Sequence, residues 1–173
     1  TLVVVNDFTA LAMALPRLAP AQRRQVGGGQ AREASVIGVL GAGSGLGVSG
    51  LIPIEGGWVA LGTEGGHASF APRDEREIAI LRHGLEHHDH VSFERLLSGP
   101  GIELIHQALG RRAGLAPPSL AAPEITRRAL GGGDALCSEA LDAFCAILGT
   151  AAANLAVALG ALGGSFIGGT IVP

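Results

Sequence analysis

No Asp, Glu, Lys or Arg occurs between Ala143 and Pro173. About 20 apolar residues can cross a bilayer, so this stretch first decides between a membrane-spanning and a core segment. It is mostly Ala and Gly, which contribute little transfer energy, and it is interrupted by Gly160, Gly163 and Gly164. Thr150, Asn154, Ser165 and Thr170 lie inside it, and no Trp or Tyr flanks it as an interfacial anchor. The expectation is a buried helix followed by a buried strand over residues 166–172, with no membrane partner.

The rest of the composition agrees with an ordinary globular domain. The 173 residues are 47% hydrophobic and 16% charged, enough to bury one core without disulfides. A net charge of −3 and 3% aromatic residues argue against a basic face or a base-stacking platform, so no nucleic-acid partner is expected. Every basic residue other than histidine is Arg, which excludes a phosphate-binding or Schiff-base lysine. Cys137 and Cys145 do not suggest a disulfide framework, and a reducing, cytoplasmic compartment is expected. The chain opens directly in an apolar run and stops just after another, as a piece of a longer protein would.

Periodicity and punctuation predict an α/β domain. A buried strand is expected over residues 2–5, then a helix over 8–15 closed by Pro16. Residues 20–34, with Gly27-Gly28-Gly29, read as a surface loop. Strands at 35–40, 48–54 and 58–61 are close enough for an antiparallel meander, with Trp58 a packing residue. A helical block follows: one helix after Asp74, then helices at 94–97, 102–113, 123–130 and 134–159. Cys145 is expected in the core beside Phe144, Ile147 and Leu148.

Gly41-Ala42-Gly43-Ser44-Gly45-Leu46-Gly47 has glycine at every second position. It fails as a dinucleotide fingerprint, because Leu46 or Val48 stands where the last glycine belongs and a strand-like run follows. What remains is a strand–turn–strand whose backbone N–H groups could approach an anion, with the Ser44 hydroxyl beside them. Four alternating glycines exceed the need of a plain turn, which favours phosphate contact.

Asn6-Asp7 follows the first apolar run, at a strand end where α/β sites usually lie, although an aspartate there could equally cap the next helix. Glu64-Gly65-Gly66-His67 has no obvious core role, and Glu94 reads on composition as a solvated helix residue. Such a set suits polyol recognition: carboxylates accept from hydroxyls, and Asn and His can donate or accept. One carboxylate could also take a hydroxyl proton during phosphoryl transfer. His83 and His87 stand i, i+4 in a histidine-rich stretch, but no third ligand is fixed by spacing. A solvated helix end is expected there, and no metal site.

Five motifs in order resemble the bacterial ATP-dependent glucokinase family. They are Asn6-Asp7-Phe8-Thr9-Ala10, the glycine stretch 41–47, and Glu64-Gly65-Gly66-His67 with Phe70-Ala71-Pro72. The last two are Ser92-Phe93-Glu94-Arg95 with Leu97-Ser98-Gly99-Pro100-Gly101, and Gly163-Gly164-Ser165-Phe166-Ile167-Gly168-Gly169. The resemblance implies a ribonuclease-H-like (actin-like ATPase/hexokinase) large domain, with a mixed sheet and flanking helices, spanning residues 1–173. It also implies ATP and Mg2+, glucose as acceptor, and Asp7 as general base on the sugar 6-hydroxyl. Asn6, Glu64, His67 and Glu94 would hold glucose. Gly43, Ser44 and Gly45 would meet phosphate, and Gly163, Gly164, Gly168 and Gly169 would lie near the adenosine. Thr63 and Ser44 depart from the family pattern, which carries Gly and commonly Thr there. The family's Asp-x-Gly-Gly-Thr phosphate hairpin, its small closing domain and its closing C-terminal helix do not occur in these residues, so little activity is expected from them alone. A non-catalytic sugar-sensing or interaction domain on the same fold, or a homodimer-forming unit, is the alternative.

Overall fold

A computed structural model describes residues 4–171. Four strands form one mixed sheet: β1 (Ile37–Ala42), β2 (Leu46–Ile54), β3 (Gly57–Gly62) and β4 (Ser165–Gly169), in the order β3-β2-β1-β4. β1 and β2 run antiparallel with Gly41 opposite Gly47, β2 and β3 run antiparallel, and β4 lies parallel to β1 with Gly168 opposite Gly41. The expected meander is present, with strand ends displaced by one or two residues.

Alternation along β1 and β2 divides the core. Val39 and Leu51 face α1 (Asp7–Ala14), where they pack with Ala12, Leu15, Trp58 and Phe166. Leu40, Ala42, Leu46 and Val48 face the helical block of α2 (Glu75–Leu85), α3 (Phe93–Leu96), α4 (Gly99–Arg112), α5 (Ala122–Leu130) and α6 (Ala135–Leu159). Side chains of Asn6, Asp74, Ser92, Ser98 and Asp134 cap α1, α2, α3, α4 and α6 respectively, each accepting a backbone N–H of the first turn. Gly160, at φ 59°, ends α6 in the left-handed conformation that a glycine adopts most readily.

The uncharged stretch forms α6 and β4. By length and composition α6 could cross a membrane. One face of it, however, carries Cys137, Ala140, Phe144, Ile147, Leu148 and Ala151 into the core, and Glu139 and Asp142 lie on its first turns.

Three expectations need correction. β4 is not a buried strand: among the described residues it forms the sheet's edge and pairs only with β1, and Ile167 is 47% exposed. Cys145 is exposed: it lies on the flank of α6, about 100° round from Phe144 and past the edge of the face that carries Phe144, Ile147 and Leu148 into the core. Of the first expected strand, residues 2 and 3 lie outside the described residues. Val4 and Val5 are exposed and in no strand, with no ladder partner among the described residues.

Candidate active site

The site is assembled around the C-terminal ends of the parallel strands β1 and β4, where α/β folds place their ligands. The turn 43–45 closes the β1–β2 hairpin, with the Gly43 N–H donating to Gly45 O at 2.8 Å. Ser44 is exposed at its tip, and the amides of Ser44 and Gly45 make no hydrogen bond among the described residues. Gly99 N, at the start of α4, donates to Gly43 O at 3.1 Å and fixes one side of the turn. β4 supplies the other side: Thr170 N donates to Ala42 O at 3.1 Å, and Gly169, at φ 102°, packs its α-carbon against the Ala42 backbone.

Each alternating glycine has a packing cause. A Cβ on Gly47 would collide with the Phe8 ring, and one on Gly41 would lie 2.5 Å from Gly168 O and 2.8 Å from Phe8. A Cβ on Gly45 would meet Glu94 Oε2 at 2.6 Å, and one on Gly43 would meet Thr170 Oγ1 at 3.2 Å. The number of glycines is therefore accounted for by close packing, and an anion is not needed to explain it.

Phe8, wedged over Gly41 and Gly47, holds the preceding two residues beside the hairpin. Asn6, not Asp7, is the cap: Asn6 Oδ1 accepts from Phe8 N at 2.9 Å and Thr9 N at 3.2 Å. Asp7 Oδ1 accepts from Phe8 N at 2.8 Å, and its second oxygen makes no hydrogen bond among the described residues.

Glu64 and His67 bracket a single 3₁₀ turn, Gly65–His67. Gly66 is buried in it, so close to Leu46 O that no Cβ would fit. Thr63, the departure from the family pattern, pins this turn to β2: its Oγ1 donates to Val48 O at 3.3 Å and accepts from Gly65 N at 3.0 Å. The chain then laces onto α3, with Phe93 N donating to Ala68 O and Phe70 N to Val91 O, both at 3.0 Å. The Phe70 and Phe93 rings meet edge to face with centroids 5.7 Å apart.

This lacing brings Glu64, His67 and Glu94 together. His67 Nε2 is 3.8 Å from Glu64 Oε2, and its Nδ1 is 3.7 Å from Glu94 Oε1. The imidazole therefore stands between two carboxylates. The Glu64 side chain is 83% exposed, His67 62% and Glu94 33%. Glu94 is not the solvated helix residue that composition suggests, because its Oε2 accepts from Leu46 N at 3.1 Å. A polar groove of about 510 Å³ opens beside His67, lined also by His87, His88, His90 and Arg95. A second groove of about 730 Å³, around Met13, Pro53 and Trp58, lies away from the hairpin.

The four C-terminal glycines separate into two pairs. Gly168 and Gly169 border the hairpin, whereas Gly163 and Gly164 sit at the start of β4, about 13 Å away at about 3.3 Å per residue. Gly163 lies against the Ser35 and Val36 carbonyls, where a Cβ would come within 2.6 and 3.0 Å.

The histidine-rich end of α2 is not uniformly solvated, which corrects the expectation there. His83 is buried, and with Glu86 and His87 it brings three possible ligand atoms within 4.8 Å of one another. Glu86 is the third residue that spacing had not singled out. The set is already engaged, because Arg111 Nη1 donates to Glu86 Oε2 at 2.6 Å and stands 3.3 Å from His83 Nδ1. Burial, then the Arg111 and His87 charges, push the His83 pKa down, while the Arg111 hydrogen bond lowers that of Glu86. The cluster is a polar tie between α2 and α4.

The arrangement has close counterparts. A family model described as glucokinase matches residues 1–173. The "bifunctional protein glk" of Burkholderia pseudomallei (strain 1710b) is 59% identical over 174 residues, covering 100% of this chain and 27% of that protein. The glucokinase of Chromobacterium violaceum is 56% identical over 173 residues, covering 100% of this chain and 50% of that one. The crystal structure of a glucokinase from an Antarctic psychrotroph superposes with a TM-score of 0.91 at 40% identity, over 98% of this chain and 52% of that chain. The fold is accordingly the hexokinase-like α/β fold of the actin-like ATPases, a mixed sheet with flanking helices. The chain belongs to the glucokinase family. It spans from about a quarter to half the length of these relatives.

Proposed function

We propose that the chain is the sugar-binding large domain of a two-domain, ATP-dependent glucokinase, and that the complete protein phosphorylates the 6-hydroxyl of glucose in the cytoplasm. The observation that carries this is one convergence: the His67 imidazole between Glu64 and Glu94, next to a glycine hairpin whose other side is held by the Asn6-Asp7 segment through Phe8.

Glu64 and Glu94 would accept hydrogen bonds from sugar hydroxyls, and His67 would donate or accept between them. Asn6 spends its oxygen on the helix cap, so its amide N–H groups are left to donate to a sugar oxygen. Asp7 keeps one carboxylate oxygen to take the hydroxyl proton as the sugar oxygen attacks the γ-phosphorus and the bond to ADP breaks.

The hairpin fits the phosphate end of ATP, which would bring Mg2+ with it. It offers the Ser44 and Gly45 amides and the Ser44 and Thr170 hydroxyls, with Gly43 and Gly45 letting Thr170 and Glu94 pack close against the turn. Gly168 and Gly169 would border the phosphates, and Gly163 and Gly164, farther along β4, the adenosine.

Glucose titration of the complete protein tests the sugar set. His67→Ala should weaken glucose binding at least tenfold while the melting temperature changes little, because His67 is largely exposed. Unchanged glucose affinity in that variant would refute the assignment.

A further inference from the structure

We propose that Glu94 is a positioning residue that couples the sugar site to the phosphate hairpin, with one carboxylate oxygen assigned to each. Oε1 faces His67 at 3.7 Å, on the sugar side. Oε2 accepts the Leu46 N–H at 3.1 Å, at the first residue of β2 after the turn 43–45. The same oxygen fills the space that a side chain on Gly45 would occupy, 2.6 Å from an ideal Cβ there. A carboxylate is stiff, so moving one oxygen moves the other. Sugar hydroxyls that engage Glu94 therefore also set where the hairpin amides stand, and a nucleotide that orders the hairpin orders Glu94 in return. Linkage makes the effect reciprocal, and its size is bounded by one charge-assisted hydrogen bond.

The proposal rests on the sugar-site assignment above, and Gly45→Ala tests it from the hairpin side: it replaces no sugar ligand and acts on Glu94 only through the Oε2 contact. Gly45 lies outside the left-handed backbone region, and the atom its new Cβ would displace is the far end of a flexible side chain. The variant should fold and push Glu94 Oε2 off Leu46. In the complete protein labelled with 15N-leucine, glucose should shift the Leu46 amide resonance. In Gly45→Ala that response should disappear, and glucose affinity should fall about tenfold. Two results would overturn the coupling while leaving the sugar site standing: a wild-type protein that binds glucose with no Leu46 response, or a Gly45→Ala protein that binds glucose as tightly as wild type. A wild-type protein that binds no glucose would overturn the sugar-site assignment and the coupling together. The wild-type spectrum decides the matter even if the variant folds poorly.

Discussion

Glu94 Oε2 accepts the Leu46 amide across 48 residues of sequence, and the carbonyl of the same Leu46 lies directly against Gly66. One residue of β2 thus touches both halves of the carboxylate–histidine set, its N–H toward α3 and its C=O toward the 3₁₀ turn. Gly66→Ala should be costly for that reason, since the neighbour is backbone and cannot rotate away. A loss of about 1–3 kcal/mol is expected, typical of overpacking, and denaturant unfolding would measure it. A change within a few tenths of a kcal/mol would mean the turn is not seated on β2 as described.

Phe8 is the mechanical link between Asp7 and the hairpin. Gly47→Ala would force its ring off the strand pair and carry Asp7 with it. The expected cost is about 1–3 kcal/mol in stability, with a fall in sugar-dependent ADP formation larger than the unfolded fraction explains. Steady-state kinetics beside a thermal melt separates the two effects. Full activity in a destabilised variant would mean that Asp7 is held by something other than Phe8.

Acid should act on α5 through Glu124. Hydrogen bonds from Arg127, at 2.7 and 2.8 Å, and from Arg128, at 2.7 Å, hold its pKa at about 2, against an ordinary value of 4.5. A depressed carboxylate pKa contributes stability that is complete above 4.5 and is lost as pH falls through about 2. Glu124→Gln should therefore be less stable than wild type at neutral pH, and the gap should close across that window. Because the cluster is solvent-facing, salt should narrow the gap too. Melting curves against pH would show it.

His106 should act at milder acidity. It is 2% exposed on α4, its Nδ1 has no hydrogen-bond partner among the described residues, and burial pushes its pKa below the ordinary 6.5. The unfolded chain then binds the proton first, so this contribution is complete above 6.5 and is lost as pH falls through the lowered folded value. His106→Leu removes the titrating group and the unpaired nitrogen, and should flatten that part of the stability profile. An unchanged profile would mean that His106 is hydrated in solution.

Much of the fold was legible because its signals are local. Asp74 and Asp134 announce α2 and α6, and the 54–57 turn closes the β2–β3 hairpin where alternation stops. What was not legible depends on partners distant in sequence. Composition could not place Glu94 against Leu46, nor Phe8 against Gly41 and Gly47, so the glycines looked like anion contacts before their packing was known. The same holds for β4, whose apolar residues suited a buried strand until the strand order placed it at the edge. Cys145 was a finer miss: helical period puts it about 60° from Leu148 and about 100° from Phe144, at the edge of the core face, where period alone does not decide burial.

The most direct measurement is sugar-dependent ADP formation by the complete protein, wild type against Asp7→Asn, with glucose affinity determined in parallel. A positioned base contributes about 10²–10⁴-fold. Turnover should therefore fall by at least about a hundredfold, with glucose affinity within about threefold of wild type. An Asp7→Asn protein that turns over at the wild-type rate would contradict the account.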